Sequence, residues 1–130
     1  MSQRTLVQKL GLKSGMTADI GRAKPWIFDL LIDLPEDIVW TEESEKLDWY
    51  MGFYDDLLDF KNRYPWEIKR LKSNASWWIL CKKGLPKSEN RLSRASMQEE
   101  LKEKQMVDVL VCSINDQWSG YKFVKRVEFR

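Results

Sequence analysis

The spacing of apolar and polar positions predicts a chain that alternates strands with helices. Apolar residues recur every three to four positions, as in amphipathic helices, over 5–10, 25–34 and 55–72. A further helix is predicted from a capping box at Ser96 and Glu99 to about residue 105. Short β-rich runs predict strands at 15–21, 38–40, 47–53, 75–81, 107–114 and 120–129. This alternation is typical of an α/β fold with a largely parallel sheet.

The last two predicted strands set the order of the sheet. They flank a short polar turn with Gly120 at its exit, which indicates a hairpin. Right-handed crossovers and this hairpin predict the spatial order 2-1-3-4-6-5, with strand 6 antiparallel between strands 4 and 5. Cys81 and Cys112 would then be separated by a strand, roughly 9–10 Å apart. We therefore expect no disulfide between them, because a bridge needs Cα atoms within about 7 Å.

Composition favours a single globular domain over residues 1–130. Apolar residues make up 43% and charged residues 32% of the chain, which is an ordinary globular balance. Histidine is absent, and this argues against zinc sites and Ser-His or Cys-His catalysis, so no metal ligands and no catalytic residues are predicted. Because the sequence has neither a long apolar run nor a signal-peptide pattern, we expect a cytoplasmic protein with no membrane contact.

Charge is strongly segregated along the chain. Residues 29–59 hold eleven acids and one base, whereas residues 60–130 hold sixteen bases and eight acids. Two solvated surfaces explain this pattern, and a basic face that binds an anion or nucleic acid is the alternative. Basic residues cluster locally at 82–83 and 125–126, acids are interleaved elsewhere, and no nucleic-acid motif is recognised, so nucleic acid is not the favoured partner.

Several segments resemble an uncharacterised bacterial family, the domain of unknown function 3052. The resemblance is carried by 9–15, Leu34-Pro35, 78–83, 107–112 and above all Trp118-Ser-Gly-Tyr-Lys-Phe-Val-Lys-Arg126. That family implies a methyltransferase-like fold and no established activity. The fold expected is thus a three-layer, Rossmann-like α/β domain with a six-stranded, mostly parallel sheet that ends in an antiparallel hairpin.

The segment Ala18-Asp-Ile-Gly21 is similar to the first motif of class I methyltransferases. In that motif a strand ends in a glycine-rich loop, which lets the backbone approach S-adenosylmethionine closely. Here Arg22, Ala23, Lys24 and Pro25 follow Gly21, so later glycines are missing. We expect the bulky side chains to fill the cofactor volume, which predicts no cofactor. The positive charges at Arg22 and Lys24 favour a small anionic ligand, such as phosphate or sulfate, instead.

The candidate ligand-binding residues lie at predicted strand ends and in the hairpin turn. Glu42 and Glu43 match the position of a ribose-binding carboxylate. Asp19 would either accept hydrogen bonds from loop amides near Gly21 or contact a ligand. In the turn, Asp116 and Ser119 would bond turn amides beneath a buried Trp118, or the same groups would hold a polar ligand. The complete set is Asp19, Gly21, Arg22, Lys24, Glu42, Glu43, Lys83, Asp116, Trp118 and Ser119.

Three functions remain open on the sequence. The favoured hypothesis is a non-catalytic methyltransferase-like domain with a degenerate cofactor loop, which acts by binding a protein partner or a small anionic ligand. The first alternative is an S-adenosylmethionine-dependent methyltransferase with an atypical loop. The second is a nucleic-acid-binding module that uses the basic C-terminal half.

Overall fold

A computed structural model describes residues 4–43 and 46–130. Strands and helices alternate along the chain, as the periodicity predicts. In chain order the elements are α1 (Leu6–Leu10), β1 (Thr17–Gly21), α2 (Ile27–Leu30), β2 (Val39–Trp40), β3 (Leu47–Phe53), α3 (Leu57–Glu67), β4 (Leu71–Lys82), α4 (Arg94–Leu101), β5 (Met106–Ser113) and β6 (Trp118–Lys125). Short 3-10 turns lie at Ile68–Arg70, Lys102–Lys104 and Val127–Phe129. Within the described ranges, no helix has the length and apolar character needed to cross a membrane.

The predicted sheet order is confirmed. Six strands pair in the order β2-β1-β3-β4-β6-β5. Strands β2, β1, β3 and β4 run parallel to one another, and β6 runs antiparallel to both β4 and β5. Because β6 separates β4 from β5, Cys81 and Cys112 lie on non-adjacent strands, and both are free and buried.

Two apolar layers cover the two faces of the sheet, which makes the domain three layers thick. One face packs against α1, α2 and the segments around them, with Leu10, Ile27 and Trp49 fully buried. The other face packs against α3 and α4, with Phe60 and Met97 fully buried. The central strands β3 and β4 are buried on both faces, which explains why they are nearly continuous apolar runs in the sequence.

Helix α1 is held onto the sheet by two tryptophans. The indole Nε1 atoms of Trp49 and Trp78 both donate to the carbonyl of Leu10, at 2.8 and 2.9 Å. A carbonyl in the last turn of a helix lacks an intrahelical partner, so these two bonds satisfy it inside the core. The predicted stop at Gly11 is confirmed, with φ of +74° in the left-handed region.

The predicted second helix is shorter than its apolar stripe. It spans Ile27–Leu30 instead of 25–34, because Leu31 leaves the helical region and Asp33 takes a left-handed φ of +64°. One turn already buries Ile27 and Leu31. The apolar spacing therefore identified Ile27 and Leu31 correctly as buried and overestimated the length of the helix.

The predicted cap of the last helix is wrong by one turn. The N-cap is Ser93, and Ser96 occupies the third helical position, where it completes a capping box with Ser93. Leu92 and Met97 lie on either side of this cap and are both buried in the same cluster. Such a pair, one residue before the N-cap and one in the first turn, forms a hydrophobic staple that fixes where the chain enters the helix.

Gly120 lies within β6 and not at the exit of the hairpin turn. It pairs with Leu80 on one side and Cys112 on the other. A Cβ at this position would lie 3.1 Å from the Trp78 ring and 3.2 Å from the Leu80 side chain. The glycine thus permits close packing within the sheet, which is a common reason for glycine in a strand interior.

Candidate functional site

A cleft opens at the carboxyl ends of β1 and β2. Its volume is about 270 Å³, and its lining residues are Asp19, Ile20, Ala23, Phe28, Trp40, Thr41 and Glu42. Strand β1 lies between β2 and β3, so the chain departs from β1 to one side and later returns on the other. Such a switch point, beyond the carboxyl ends of the strands, is where open α/β sheets bind ligands.

Aromatic rings form one wall of this strand-end cleft. Phe28 and Trp40 meet edge to face, with ring centroids 5.4 Å apart, and Trp40 in turn contacts the buried Trp49. Phe28 and Trp40 are 48% and 37% exposed. Exposed aromatic surface at the edge of a cleft can stack against a planar ligand.

Arg70 ties the ends of β1 and β2 together beneath the cleft. Its Nη1 lies 2.7 Å from the Asp19 carboxylate, and its Nη2 donates to the carbonyl of Thr41 at 3.1 Å. The expectation that loop amides near Gly21 satisfy Asp19 is therefore wrong. The guanidinium supplies the charge partner that a half-buried carboxylate requires.

The loop after β1 sends its two large side chains away from the cleft. Arg22 adopts a left-handed φ of +54°, and its Nη1 forms a 3.0 Å ion pair with Asp59 at the start of α3. The Lys24 ammonium lies 5.4 Å from the centre of the Trp118 ring. Of the three residues 22–24, Ala23 is the one that lines the cleft. Neither Arg22 nor Lys24 therefore fills this strand-end cleft, contrary to the obstruction that their size suggests.

Gly21 leaves room for a tyrosine on the opposite face of the sheet. A Cβ on Gly21 would lie 1.9 Å from the Tyr50 hydroxyl and 3.2 Å from the Arg63 guanidinium. The backbone of Gly21 does not have a positive φ. Close approach of Tyr50 therefore explains this glycine, and the left-handed turn falls on Arg22 instead.

A polar network of two buried tyrosines and two half-buried charged residues lies below Gly21, between β3 and α3. The hydroxyls of Tyr50 and Tyr54 both donate to Glu67, and Arg63 contacts the same carboxylate at 3.4 Å. Burial, followed by the charge of Glu67, raises the pKa of Tyr50 and of Tyr54 well above the ordinary value. Both phenols stay protonated and act as donors, so the network supports the base of the loop rather than supplying a catalytic base.

The two candidate glutamates occupy different surroundings. Glu42 is exposed and lines the cleft directly after β2. Glu43 is also exposed, but it is absent from the lining, and its backbone N–H donates to the Thr41 hydroxyl at 3.2 Å. Of the two, Glu42 is the one placed to contact a ligand in the cleft.

The candidates from the hairpin turn form a separate group. Trp118 is 2% exposed, as predicted, and packs edge to face on Phe53 with centroids 5.1 Å apart. Asn115, rather than Asp116 or Ser119, accepts from the turn amides of residues 117 and 118.

The remaining members of this group have structural surroundings. The Lys83 ammonium donates to the carbonyl of Asn115 at 2.8 Å and bonds the hydroxyl of Ser113. Asp116 is exposed, and Ser119 pairs within the sheet opposite Cys81 and Ser113. These contacts account for the turn without a ligand.

Sequence reasoning missed the aromatic wall and the arginine beneath the cleft. Trp40 and Thr41 adjoin a predicted strand end and could have been included on that ground. Phe28 lies off the apolar stripe of its helix, which is a weak indication of a separate role. Arg70 is 51 residues from Asp19, and nothing local in the sequence indicates that they pair. Among the described residues, no group of three or more His, Cys, Asp or Glu side chains could hold a metal ion.

Neither family models nor curated proteins match the sequence. No family model matches the chain, so membership of the domain of unknown function 3052 is not supported. No curated protein matches it in sequence either.

Several solved structures with a similar fold are described as methyltransferases. A Sulfolobus solfataricus protein, described provisionally as a type 11 methyltransferase, has a TM-score of 0.62 at 10% identity. Its alignment covers 94% of this chain and 90% of the Sulfolobus chain. A SAM-dependent methyltransferase from Aquifex aeolicus has a TM-score of 0.54 at 16% identity, and its alignment covers 91% of this chain and 86% of the Aquifex chain. DhpI in complex with SAH has a TM-score of 0.56 at 8% identity, and its alignment covers 92% of this chain and 81% of the DhpI chain.

These structures correct the expectation that the chain takes no cofactor. They include a SAM-dependent enzyme, a SAH complex and a SAM complex, so proteins of this fold use the cofactor that the missing glycines seemed to exclude here. At identities of 8–16% the likeness carries the fold and not the activity. The chain therefore has the Rossmann-like fold of class I methyltransferases, with a mixed six-stranded sheet in the order 2-1-3-4-6-5.

Proposed function

We propose that this protein is an S-adenosylmethionine-dependent methyltransferase and that it binds the cofactor in the strand-end cleft. The observation that carries the proposal is the cleft itself, at the switch point of the sheet, with Glu42 at its rim and Ala23 in its wall. Its volume of about 270 Å³ is near the lower limit of small-molecule sites, roughly 300 Å³. That size suits the nucleoside half of the cofactor, with the remainder extending over the loop after β1.

Four of the lining residues have a chemical role toward this ligand. The Glu42 carboxylate would accept hydrogen bonds from the two ribose hydroxyls. The exposed faces of Phe28 and Trp40 would flank the adenine ring. Ala23 stands where the first motif of class I methyltransferases usually has a glycine. Its small side chain keeps the loop narrow, so the backbone can still approach the ligand.

The charges around the cleft suit a cationic sulfonium. Arg70 and Asp19 form a mutually compensating pair, and Arg22 is compensated by Asp59. Glu42 is exposed at the cleft and contributes negative charge. Arg22 therefore does little to repel the cofactor, because its charge is directed at α3.

Calorimetry with matched glutamate variants tests the proposal. We expect SAM and SAH to bind the wild type, and Glu42→Gln to weaken binding about tenfold or more, since a hydrogen bond to a charged group contributes roughly 1.5–3 kcal/mol. Glu43→Gln is the control, because it removes the same charge from the next residue, outside the cleft. We expect it to change the affinity by less than about twofold.

Activity is tested by label transfer from methyl-labelled SAM to total RNA, protein and small molecules of a cell extract. In that reaction an acceptor atom bonds the methyl carbon, the electrons of the carbon–sulfur bond return to sulfur, and SAH is released. Wild-type transfer that falls in Glu42→Gln and persists in Glu43→Gln supports a methyltransferase. Absence of SAM and SAH binding to folded wild-type protein would refute the proposal.

A further inference from the structure

A second cavity lies at the opposite end of the sheet from the strand-end cleft. Its volume is about 240 Å³, and it is bounded by the start of β4, the start of β5, the end of β6 and two adjacent 3-10 turns. Strands β1 to β5 run parallel, so the starts of β4 and β5 face away from the end where the cleft lies. The two sites are thus separate, and ligand binding in the second cavity does not depend on the proposed function.

Four lysines line this cavity, named the lysine cavity below, and none of the other described lining residues is acidic. They are Lys69, Lys72, Lys104 and Lys125, which come together from three distant parts of the chain. A cavity lined by one sign of charge concentrates the electrostatic potential and attracts an ion of opposite sign.

The lysines are only partly compensated by the protein. Lys72 forms an ion pair with Asp48 at 2.9 Å, and the Lys69 ammonium lies 4.7 Å from the centre of the Trp66 ring. In the described part of the chain, no carboxylate forms an ion pair with Lys104 or Lys125. Excess positive charge therefore faces the cavity.

The rest of the lining is mainly apolar. Ala75 and Met106 are buried, and Ile68 and Leu71 are half-buried beside them. Ser73 adds one hydroxyl. The cavity thus combines ammonium groups with an apolar surface. A small number of polar groups in a mainly apolar site is the usual composition of a ligand pocket.

We infer that the lysine cavity binds a small amphipathic anion, a phosphate monoester or carboxylate joined to a compact apolar group. The ammonium groups would pair with the anion, and the apolar group would cover Ile68, Leu71 and Met106. The apolar surface favours this ligand over a nucleic-acid strand, which needs an extended basic groove and stacking rings. The site also accounts for part of the basic excess after residue 60.

Calorimetry with phenyl phosphate tests the inference, because this probe joins a phosphate to one apolar ring. We expect it to bind more tightly than inorganic phosphate, which lacks the ring, and than phenol, which lacks the charge. The double variant Lys104→Gln with Lys125→Gln should weaken binding about tenfold or more, and added salt should weaken binding to the wild type.

The matched control is Lys13→Gln with Lys87→Gln, which removes the same charge from two exposed positions outside the cavity. We expect this control to change the affinity by less than about twofold. Glu42→Gln, in the other cleft, should leave phenyl phosphate binding unchanged, which separates this site from the proposed cofactor site.

Three outcomes would overturn the inference. One is no phenyl phosphate binding to folded wild-type protein at millimolar concentrations. Another is an equal loss of affinity in the two double variants, which would indicate attraction by net charge alone. The third is single-stranded RNA that binds more tightly than phenyl phosphate and depends on Lys104 and Lys125, which would assign the surface to nucleic acid.

Discussion

Replacing Trp118 by alanine should remove one of the main contacts between the hairpin and the rest of the core. The indole is 2% exposed and packs edge to face against Phe53 at 5.1 Å. The ammonium groups of Lys24 and Lys82 lie 5.4 and 5.8 Å from its ring centre, so the same side chain also anchors the loop after β1.

The burial of this ring sets the size of the effect. Truncating a fully buried tryptophan leaves a cavity and costs about 3–5 kcal/mol. The entropy of unfolding is about 2.1 cal/mol/K per residue, which for this chain gives about 0.27 kcal/mol/K. The melting temperature should therefore fall by roughly 11–18 °C.

Thermal unfolding followed by circular dichroism, with urea unfolding alongside, measures this directly. Trp66→Ala is the matched control, because Trp66 is 71% exposed and its contact is with Lys69 at the surface. We expect the control to change stability by less than about 1 kcal/mol. A Trp118→Ala melting temperature within about 3 °C of wild type would refute the reasoning, because burial of this ring would then contribute little to stability.

Two further predictions concern the ends of the central strands. Gly21→Ala should destabilise the protein by about 1–3 kcal/mol, because its Cβ would lie 1.9 Å from the Tyr50 hydroxyl. The double variant with Tyr50→Phe should recover part of that loss in urea unfolding. No recovery would exclude the clash with the hydroxyl as the cause. Burial raises the pKa of Asp48, but bonds from the Lys72 ammonium and the Thr17 N–H outweigh it and hold the pKa below its ordinary value. A depressed folded-state pKa stabilises the protein above the unfolded value of about 3.9 and loses this effect as pH falls through the folded value. Asp48→Asn should therefore be less stable than wild type at neutral pH, with a difference that shrinks below about pH 4 in urea unfolding; a difference that does not depend on pH would contradict this assignment.

The loop after β1 shows where inference from residue type goes wrong. The second and third glycines of the motif are missing after Gly21, which predicts that side chains fill the cofactor volume. In the structure Arg22 adopts the left-handed conformation that glycine usually provides, and its side chain reaches Asp59. A left-handed φ at a non-glycine residue costs roughly 1–2 kcal/mol, and an ion pair as exposed as that of Arg22 offsets at most about 1 kcal/mol of it. Residue type sets that cost, but tertiary contacts decide whether the conformation forms.

The sequence alone determined the architecture, because the fold depends on patterns that are local or follow general rules. Alternation of strands and helices, apolar runs at β3 and β4, right-handed crossovers and the final hairpin were sufficient for the order 2-1-3-4-6-5. Burial of Trp118 and of the cysteines followed from the same patterns. Errors at this level were confined to element ends, such as the short α2 and the Ser93 cap, where packing of one or two side chains decides the boundary.

Only the tertiary structure decided what lies at the strand ends. The pairing of Asp19 with Arg70, the outward turn of Arg22 and the convergence of four lysines on one cavity join residues far apart in the chain. Such contacts leave no periodic trace in the sequence, because they depend on where crossovers return the chain and not on the local repeat of a helix or strand. The strand-end cleft and the lysine cavity are therefore properties of the folded chain, whereas the sheet that positions them could be predicted from the order of its residues.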